Sequence, residues 1–222
     1  MQGSIRTAVY IDGFNLYYWL KKLPYRWIDL KALALNAIKK EDKTHEIVAV
    51  KYFTANVSDT QNDRRKSIRQ ETYFRALQAS TPELTITRGE FRRNKKQMPR
   101  VTSGDGVGAP ISVWHTEEKG SDVNLAVELV NDAWLKLYDL AIVISNDSDL
   151  ERALATAKRK GLHIGVLVRG DATVYSLRRV SNFMRKLTDA DLRNALLPQT
   201  IPGTNITIPH EWAQKERNAG IR

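Results

Sequence analysis

Residues Leu140 to Asp149 constrain the fold of this chain more than any other stretch: Leu-Ala-Ile-Val-Ile runs without polar interruption and then stops at Ser145-Asn146-Asp147-Ser148-Asp149. An apolar, β-branched run of this length suits a strand buried on both faces of a parallel sheet better than an alternating, half-wet one. Ser148 to Arg159 then carries Leu150, Ala153, Leu154 and Ala157 at i, i+3, i+4 and i+7 spacing, with Gly161 where a helix commonly stops. Asp147 and Asp149 therefore sit at a strand-to-helix junction, the carboxyl edge at which open α/β sheets place their ligands.

The N-terminal part repeats this layout. Thr7-Ala8-Val9-Tyr10-Ile11 reads as a short buried strand that turns out at Asp12-Gly13-Phe14-Asn15. Asp29 is placed to cap an amphipathic helix through Lys39, with Leu30, Leu33, Ala34, Ala37 and Ile38 on one side. Ile47 to Phe53 predicts another strand. Thr60 to Ala79 predicts a long helix with Ile68, Tyr73, Phe74 and Leu77 inward and a basic face outward, ended by Ser80-Thr81-Pro82. Leu84 to Phe91 alternates as a strand does. Residues 92–110 that follow, with Gly104, Gly106, Gly108 and Pro110, predict a basic excursion without core pattern, from which Ile111 to Trp114 returns as a hairpin arm.

Ser121 or Asp122 opens a helix whose apolar face is read as Val123, Ala126, Val127, Val130, Ala133, Trp134 and Leu137, leaving Asp132 on the surface. Leu162 to Val168 is a further buried strand, which makes His163 a buried, hydrogen-bonded histidine. A helix over Thr173–Val180, an edge strand over Phe183–Leu187 and a short helix over Asp189–Leu196 complete the pattern. Residues 1–197 are thus expected to form one domain. Three prolines among mostly polar residues predict an extended, poorly packed tail over 198–222.

Strands alternating with helices of ten or more residues imply an α/β fold, a three-layer sandwich with a mainly parallel central sheet and helices on both faces. Right-handed crossovers put the carboxyl ends of its strands on one edge. Asp12, Asp147 and Asp149 should meet there, joined by Asp122 at the start of its helix. Clustered aspartates repel one another, and without compensation one or more would be protonated near neutral pH. A divalent cation removes that difficulty. A donor set of hard oxygens without imidazole or thiolate suits Mg²⁺ or Mn²⁺ rather than Zn²⁺. Such a cation binds a phosphate oxygen, acidifies water and orients in-line attack on phosphorus.

Composition narrows the choice. Thirty-five Lys and Arg against 25 Asp and Glu leave a net charge of +10, which favours a polyanionic partner such as nucleic acid or an anionic membrane surface. With the acids, that points to phosphodiester hydrolysis. The absence of Cys removes disulfides, thiolate nucleophiles and zinc-thiolate sites. The four His, at 45, 115, 163 and 210, show no metal-ligand spacing. No GxSxG elbow, GxGxxG or GxxxxGK[ST] loop occurs, which argues against a serine hydrolase and against a nucleotide cofactor. No apolar run approaches the ~18 residues of a membrane span and the N-terminus lacks a leader pattern, so a soluble cytoplasmic protein without a membrane partner is expected.

Asp12-Gly13-Phe14-Asn15 after the first strand, Lys119-Gly120-Ser121-Asp122-Val123 opening a helix, and Ser145-Asn146-Asp147-Ser148-Asp149-Leu150 after a later strand together resemble the NYN domain. This is the PIN-like, Rossmannoid fold of metal-dependent ribonucleases that includes LabA-like proteins. The similarity runs from about Thr7 to Leu187 and extends to Arg69-Gln70-Glu71-Thr72-Tyr73 and Arg88-Gly89-Glu90-Phe91. It implies a metal-dependent endoribonuclease in which Asp12, Asp122, Asp147 and Asp149 hold Mg²⁺ or Mn²⁺, with Asn15 nearby. Asn146 departs from the glycine usual there, and Asn tolerates a left-handed backbone well enough for the turn to survive.

The expected substrate is single-stranded RNA. Arg64, Arg65, Lys66, Arg92, Arg93, Lys95, Lys96 and Lys119 are the candidate backbone contacts, and Phe14, Tyr17, Tyr18 and Trp114 are available for base stacking or, for Phe14 and Tyr17 above all, core packing. Two alternatives remain: a non-catalytic RNA-binding protein that has kept the acids, and a haloacid dehalogenase-like phosphatase. The latter needs a second Asp where Phe14 stands. The sequence leaves the oligomeric state open, a homodimer included.

Overall fold

The computed structural model describes residues 4–38, 44–102, 106–169 and 174–221. The readings that fall on Lys39, Gly104 and Thr173 lie outside these. In chain order the elements are β1 (Ile5–Asp12), α1 (Gly13–Leu20), α2 (Leu30–Ile38), β2 (His45–Ala55), α3 (Lys66–Ser80), β3 (Leu84–Val101), β4 (Val107–Lys119) and α4 (Ser121–Leu135). There follow β5 (Leu140–Ile144), a 3-10 turn (Ser148–Leu150), α5 (Glu151–Arg159), β6 (His163–Val168), α6 (Tyr175–Val180), β7 (Phe183–Lys186), α7 (Asp189–Arg193) and α8 (His210–Asn218).

The seven strands form one sheet in the order β4-β3-β2-β1-β5-β6-β7, parallel throughout except for the antiparallel β3–β4 pair. Successive residues of β1 and β5 serve opposite faces, as the two-residue period of a strand requires. Val9, Ile11, Ile142 and Ile144 join Leu33, Phe74, Leu77 and Trp212 on the side of α1, α2, α3 and α8, whereas Ala8, Tyr10, Ala141 and Val143 meet Leu125, Leu129, Leu154 and Leu177 on the side of α4, α5 and α6. The three-layer α/β sandwich read from the strand pattern is the observed one.

Several local expectations are corrected. The 92–110 excursion is not a loop. β3 leaves the sheet after Gly89, where its pairing with β2 ends at Ala55, and continues to Val101 paired with β4 alone. Ladder pairing between its two exposed arms holds it together, so no core pattern is needed. The 198–222 tail is not extended either: Ile201, Ile208, Trp212 and Ala213 are buried, and the Trp27 indole N–H donates to the Pro198 carbonyl at 2.8 Å. Pro202 lies in a turn and Pro209 caps the start of α8, where a fixed φ favours order.

The inward face of α4 is Ser121, Leu125, Leu129, Asp132 and Ala133, while Val123, Val127 and Trp134 are exposed. The rotation follows from Asp132, which is 3% exposed and accepts from Tyr10 Oη at 2.6 Å, Tyr138 Oη at 2.7 Å and Lys51 Nζ at 2.5 Å. A buried carboxylate with three donors turns the helix about its axis. Ile68 on α3 and His163 at the start of β6 are likewise exposed, and residues 60–65 precede α3 as turns and bridges.

Candidate metal centre and acidic cleft

β1 and β5 pair in register from Thr7 with Leu140 to Ile11 with Ile144, so Asp12 and Ser145 leave the sheet side by side. The Ser145 hydroxyl donates to Asp12 Oδ2 at 2.8 Å, and the Asn15 backbone N–H donates to Asp12 Oδ1 at 2.9 Å, which also caps α1. Gly13 fits the tight exit: a Cβ there would stand 2.5 Å from the Phe53 carbonyl oxygen and 2.9 Å from Thr54 Cβ. Asp147 is fixed in turn, accepting the Asp149 N–H at 3.0 Å, while its own N–H donates to Ser145 Oγ at 3.0 Å.

Asp122 reaches the same edge along the ribbon. β4 returns antiparallel to β3 and ends at Lys119 opposite Glu90, and Gly120, at φ 99°, turns the chain into α4. That left-handed backbone is one a Gly adopts freely. Asp12, Asp122 and Asp147 each present a carboxylate oxygen such that all three lie within 4.8 Å of one another. Among the described residues none of the three is in an ion pair with a Lys or Arg.

The electrostatics record this crowding. Asp12, 4% exposed, has its pKa raised above the usual carboxylate value, first by burial, with Asp147 and Glu118 adding to it and the Asn15 and Ser145 hydrogen bonds opposing it. Asp122 is pushed up to about 6, first by desolvation of its carboxyl and then by the charges of Asp12, Asp147, Glu118 and Asp149. Uncompensated carboxylates that raise one another in this way have the donor set a hard divalent cation satisfies. The residues present fit Mg²⁺ or Mn²⁺.

Asp149 stands outside the close group of three, exposed, although its charge reaches Asp122. Asn15 lies in the first turn of α1 rather than in a loop turn, and it braces the edge: its Oδ1 accepts the Asn146 N–H at 3.2 Å. Asn146 adopts no left-handed backbone; among the described residues Lys136 is the non-glycine residue that does. Instead its amide bridges to β6, accepting the Arg169 N–H at 2.8 Å and donating to the Arg169 carbonyl at 3.2 Å.

The acids open into a cleft of about 330 Å³ lined also by Phe14, Tyr18, Phe91, Glu118 and Arg169. Glu118 and Arg169 were not singled out from the sequence. The signal for Glu118 lay in its place at a strand end three residues before Ser121, whose N–H donates to it at 3.0 Å. Phe14 meets Phe91 edge to face at 5.2 Å and so docks the base of the ribbon on α1.

The basic candidates divide. Arg92, Arg93, Lys95 and Lys96 stand exposed on the ribbon, with Arg93 and Lys95 over the Trp114 ring at 4.7 and 5.4 Å. Lys119 does not line the cleft; at the end of β4 it pairs with Glu117 at 2.9 Å. Arg64 and Arg65 are exposed before α3, and Lys66 is half-buried. Tyr18 and Trp114 are exposed, whereas Phe14 and Tyr17 are partly packed. No helix among the described residues is long and apolar enough to cross a membrane.

Three comparisons bear on these observations. The sequence profile of the NYN domain matches residues 6–188. The 6-hydroxy-3-succinoylpyridine 3-monooxygenase HspA of Pseudomonas putida (strain DSM 28022 / S16) is 31% identical over 235 residues, spanning 94% of this chain and 75% of that protein. A protein of unknown function from Vibrio parahaemolyticus RIMD 2210633, known from a crystal structure, superposes with a TM-score of 0.54 at 17% identity over 89% of this chain and 100% of that one. At that identity the likeness speaks for the fold alone.

Proposed function

The chain belongs to the NYN domain family, a family of PIN-like nucleases, and from that premise we propose that it is a metal-dependent endoribonuclease acting on single-stranded RNA. The observation that carries the reading is the meeting of Asp12, Asp122 and Asp147 within 4.8 Å without a neutralising cation among the described residues. These three would hold Mg²⁺ or Mn²⁺, with Asp149 at the rim. Bound there, the ion would neutralise phosphate charge and acidify a water for in-line attack.

The protein's own groups do the rest. Asn15 and Ser145 hold the Asp12 carboxylate in one orientation, and the Asp149 N–H does the same for Asp147. Fixed ligands reduce the reorganisation needed when charge develops at phosphorus. Arg169 lines the cleft and offers positive charge to the scissile phosphate. Arg64, Arg65, Lys66, Lys119 and the ribbon cations Arg92, Arg93, Lys95 and Lys96 draw in the polyanion, while exposed Tyr18 and Trp114 give bases a stacking surface. The net charge of +10 agrees with such a substrate.

The test is cleavage of an end-labelled single-stranded RNA. Products appear with Mn²⁺ or Mg²⁺, vanish in EDTA, and are lost in Asp147→Asn with the circular dichroism spectrum unchanged. RNA that binds and stays uncut with either metal would overturn hydrolysis in favour of a binding protein.

A second reading, oxygenation of a small hydroxypyridine, is favoured by the 31% identity to HspA over most of both chains. Loss of 6-hydroxy-3-succinoylpyridine in air with a supplied chemical reductant, followed by chromatography, separates the two. The hard-oxygen donor set favours hydrolysis.

A further inference from the structure

Next to the acidic cleft, and sharing Phe14 with it as a wall, lies a larger cavity of about 430 Å³. It is enclosed by α1, the end of β2, α3 and α8. Its walls are aromatic: Tyr17, Tyr52, Tyr73, Phe74 and Trp212 all line it. Tyr52 and Phe74 meet edge to face at 6.1 Å, and Tyr73 and Trp212 at 5.9 Å, so the rings brace one another. Aromatic walls of this kind, with a few polar groups, are the usual make-up of a small-ligand site, and the volume falls within the usual range.

The polar part of the lining is cationic. Lys21, Arg26, Lys66 and Arg69 line the cavity with Asp63 as the acid among them. Arg69 is already engaged by Asp63 and by Glu211 of α8 at 3.2 Å. Lys21, Arg26 and Lys66 are in no ion pair among the described residues. Arg26 Nη2 donates to the Lys21 carbonyl at 2.9 Å, but its buried Nε has no acceptor among the described residues, and the same is true of the Trp212 indole N–H. The excess is felt nearby: Lys215 has its pKa lowered, first by the charge of Arg26, then by burial and Lys21. Unpaired cations in an aromatic-lined cavity, with donors left over, call for an anion attached to a flat ring.

We infer that this cavity binds a planar heteroaromatic ring carrying an anionic group, with the ring between the aromatic walls and the anion at Arg26 and Lys66. The chemistry has two sources: one nucleotide of an RNA strand that crosses Phe14 from the acidic cleft, or a free heteroaromatic acid. The site is separate from the acids and stands whether or not the chain cuts RNA.

Calorimetric titration of the full chain in EDTA, which keeps divalent ions out of the cleft, tests this with two probes, uridine 5′-monophosphate and pyridine-3-carboxylate. The expected result is saturable binding of at least one probe with Kd below about 1 mM. Arg26→Gln should weaken it by about tenfold or more, as the loss of a charge-assisted contact does. The tighter probe names the source. Lys66→Met, at the half-exposed start of α3, provides a second variant should Arg26→Gln lower the melting temperature. Absence of saturation by both probes up to about 10 mM, or unchanged affinity in both variants, would overturn the proposal. Because EDTA is present throughout, that failure is distinct from a failure to cleave RNA.

Discussion

At the scale of single residues the account turns on carboxylates that repel one another. Asp122 illustrates the sign. Its pKa of about 6 lies above that of an unfolded aspartate, so the folded metal-free protein holds a proton the unfolded chain has released. The stabilisation this gives is complete below the unfolded value and is lost as pH rises through 6. A divalent cation bound at the cluster would take the proton's place. The melting-temperature gain on adding Mg²⁺ or Mn²⁺ should therefore be larger at pH 7.5 than at pH 5, and cleavage should decline as pH falls through 6; scanning calorimetry and initial rates check the two. Asp122→Asn should raise the metal-free melting temperature at pH 7.5, by up to about 3 °C, while abolishing the metal-induced gain. A lower melting temperature would mean that the aspartate is a structural group rather than a strained one. Asp132 is the contrast: its carboxylate accepts from three donors, and Asp132→Ala should destabilise by about 3 kcal/mol in urea titrations because two tyrosine hydroxyls lose their acceptor and Lys51 is left with Glu128 alone.

At the scale of elements, the ribbon and the C-terminal helix were the hardest to read and make the clearest predictions. The ribbon has no buried face, so the alternation that reveals a strand fades after Phe91, and its polar residues resemble a loop. Excising 95–114 and joining Asn94 to its ladder partner His115 by a two-residue turn should leave the sheet folded. It should also weaken RNA binding and lower its salt slope by about 0.7 for each phosphate contact removed, as filter binding across a salt series will report. α8 was hidden for another reason. The prolines before it and its own polar residues resemble a disordered tail, and its contribution to the core is carried by Trp212, 8% exposed between Trp27 and Tyr73. Trp212→Ala should cost about 3–5 kcal/mol of stability, a value a truly loose tail could not reach. α1 escaped because Phe14, Tyr17, Tyr18 and Trp19 are residues that favour strands, and the Asp12 cap overrides them.

At the scale of the molecule, what could be read from the residues is the parallel sheet and the edge it organises. The buried strands β1 and β5 each run out toward an acid, and parallel pairing with right-handed crossovers then requires Asp12 and Asp147 to converge, as their carboxylate oxygens within 4.8 Å of each other do. Asp122 was legible by the same rule, since its helix starts from that edge. Glu118 and Arg169 were not, because their place depends on how the ribbon and β6 end rather than on any local pattern. The facing of α4 was misjudged because two apolar stripes compete on it, and a buried carboxylate decided between them. The basic surface and the acid cage belong to one molecule, and the account requires them to act on one polyanion. Most directly, a crystal of the protein soaked in Mn²⁺ should give an anomalous peak within bonding distance of Asp12, Asp122 and Asp147. Diffraction data with no such peak, the three carboxylates contacting only water or a lysine or arginine, would contradict it.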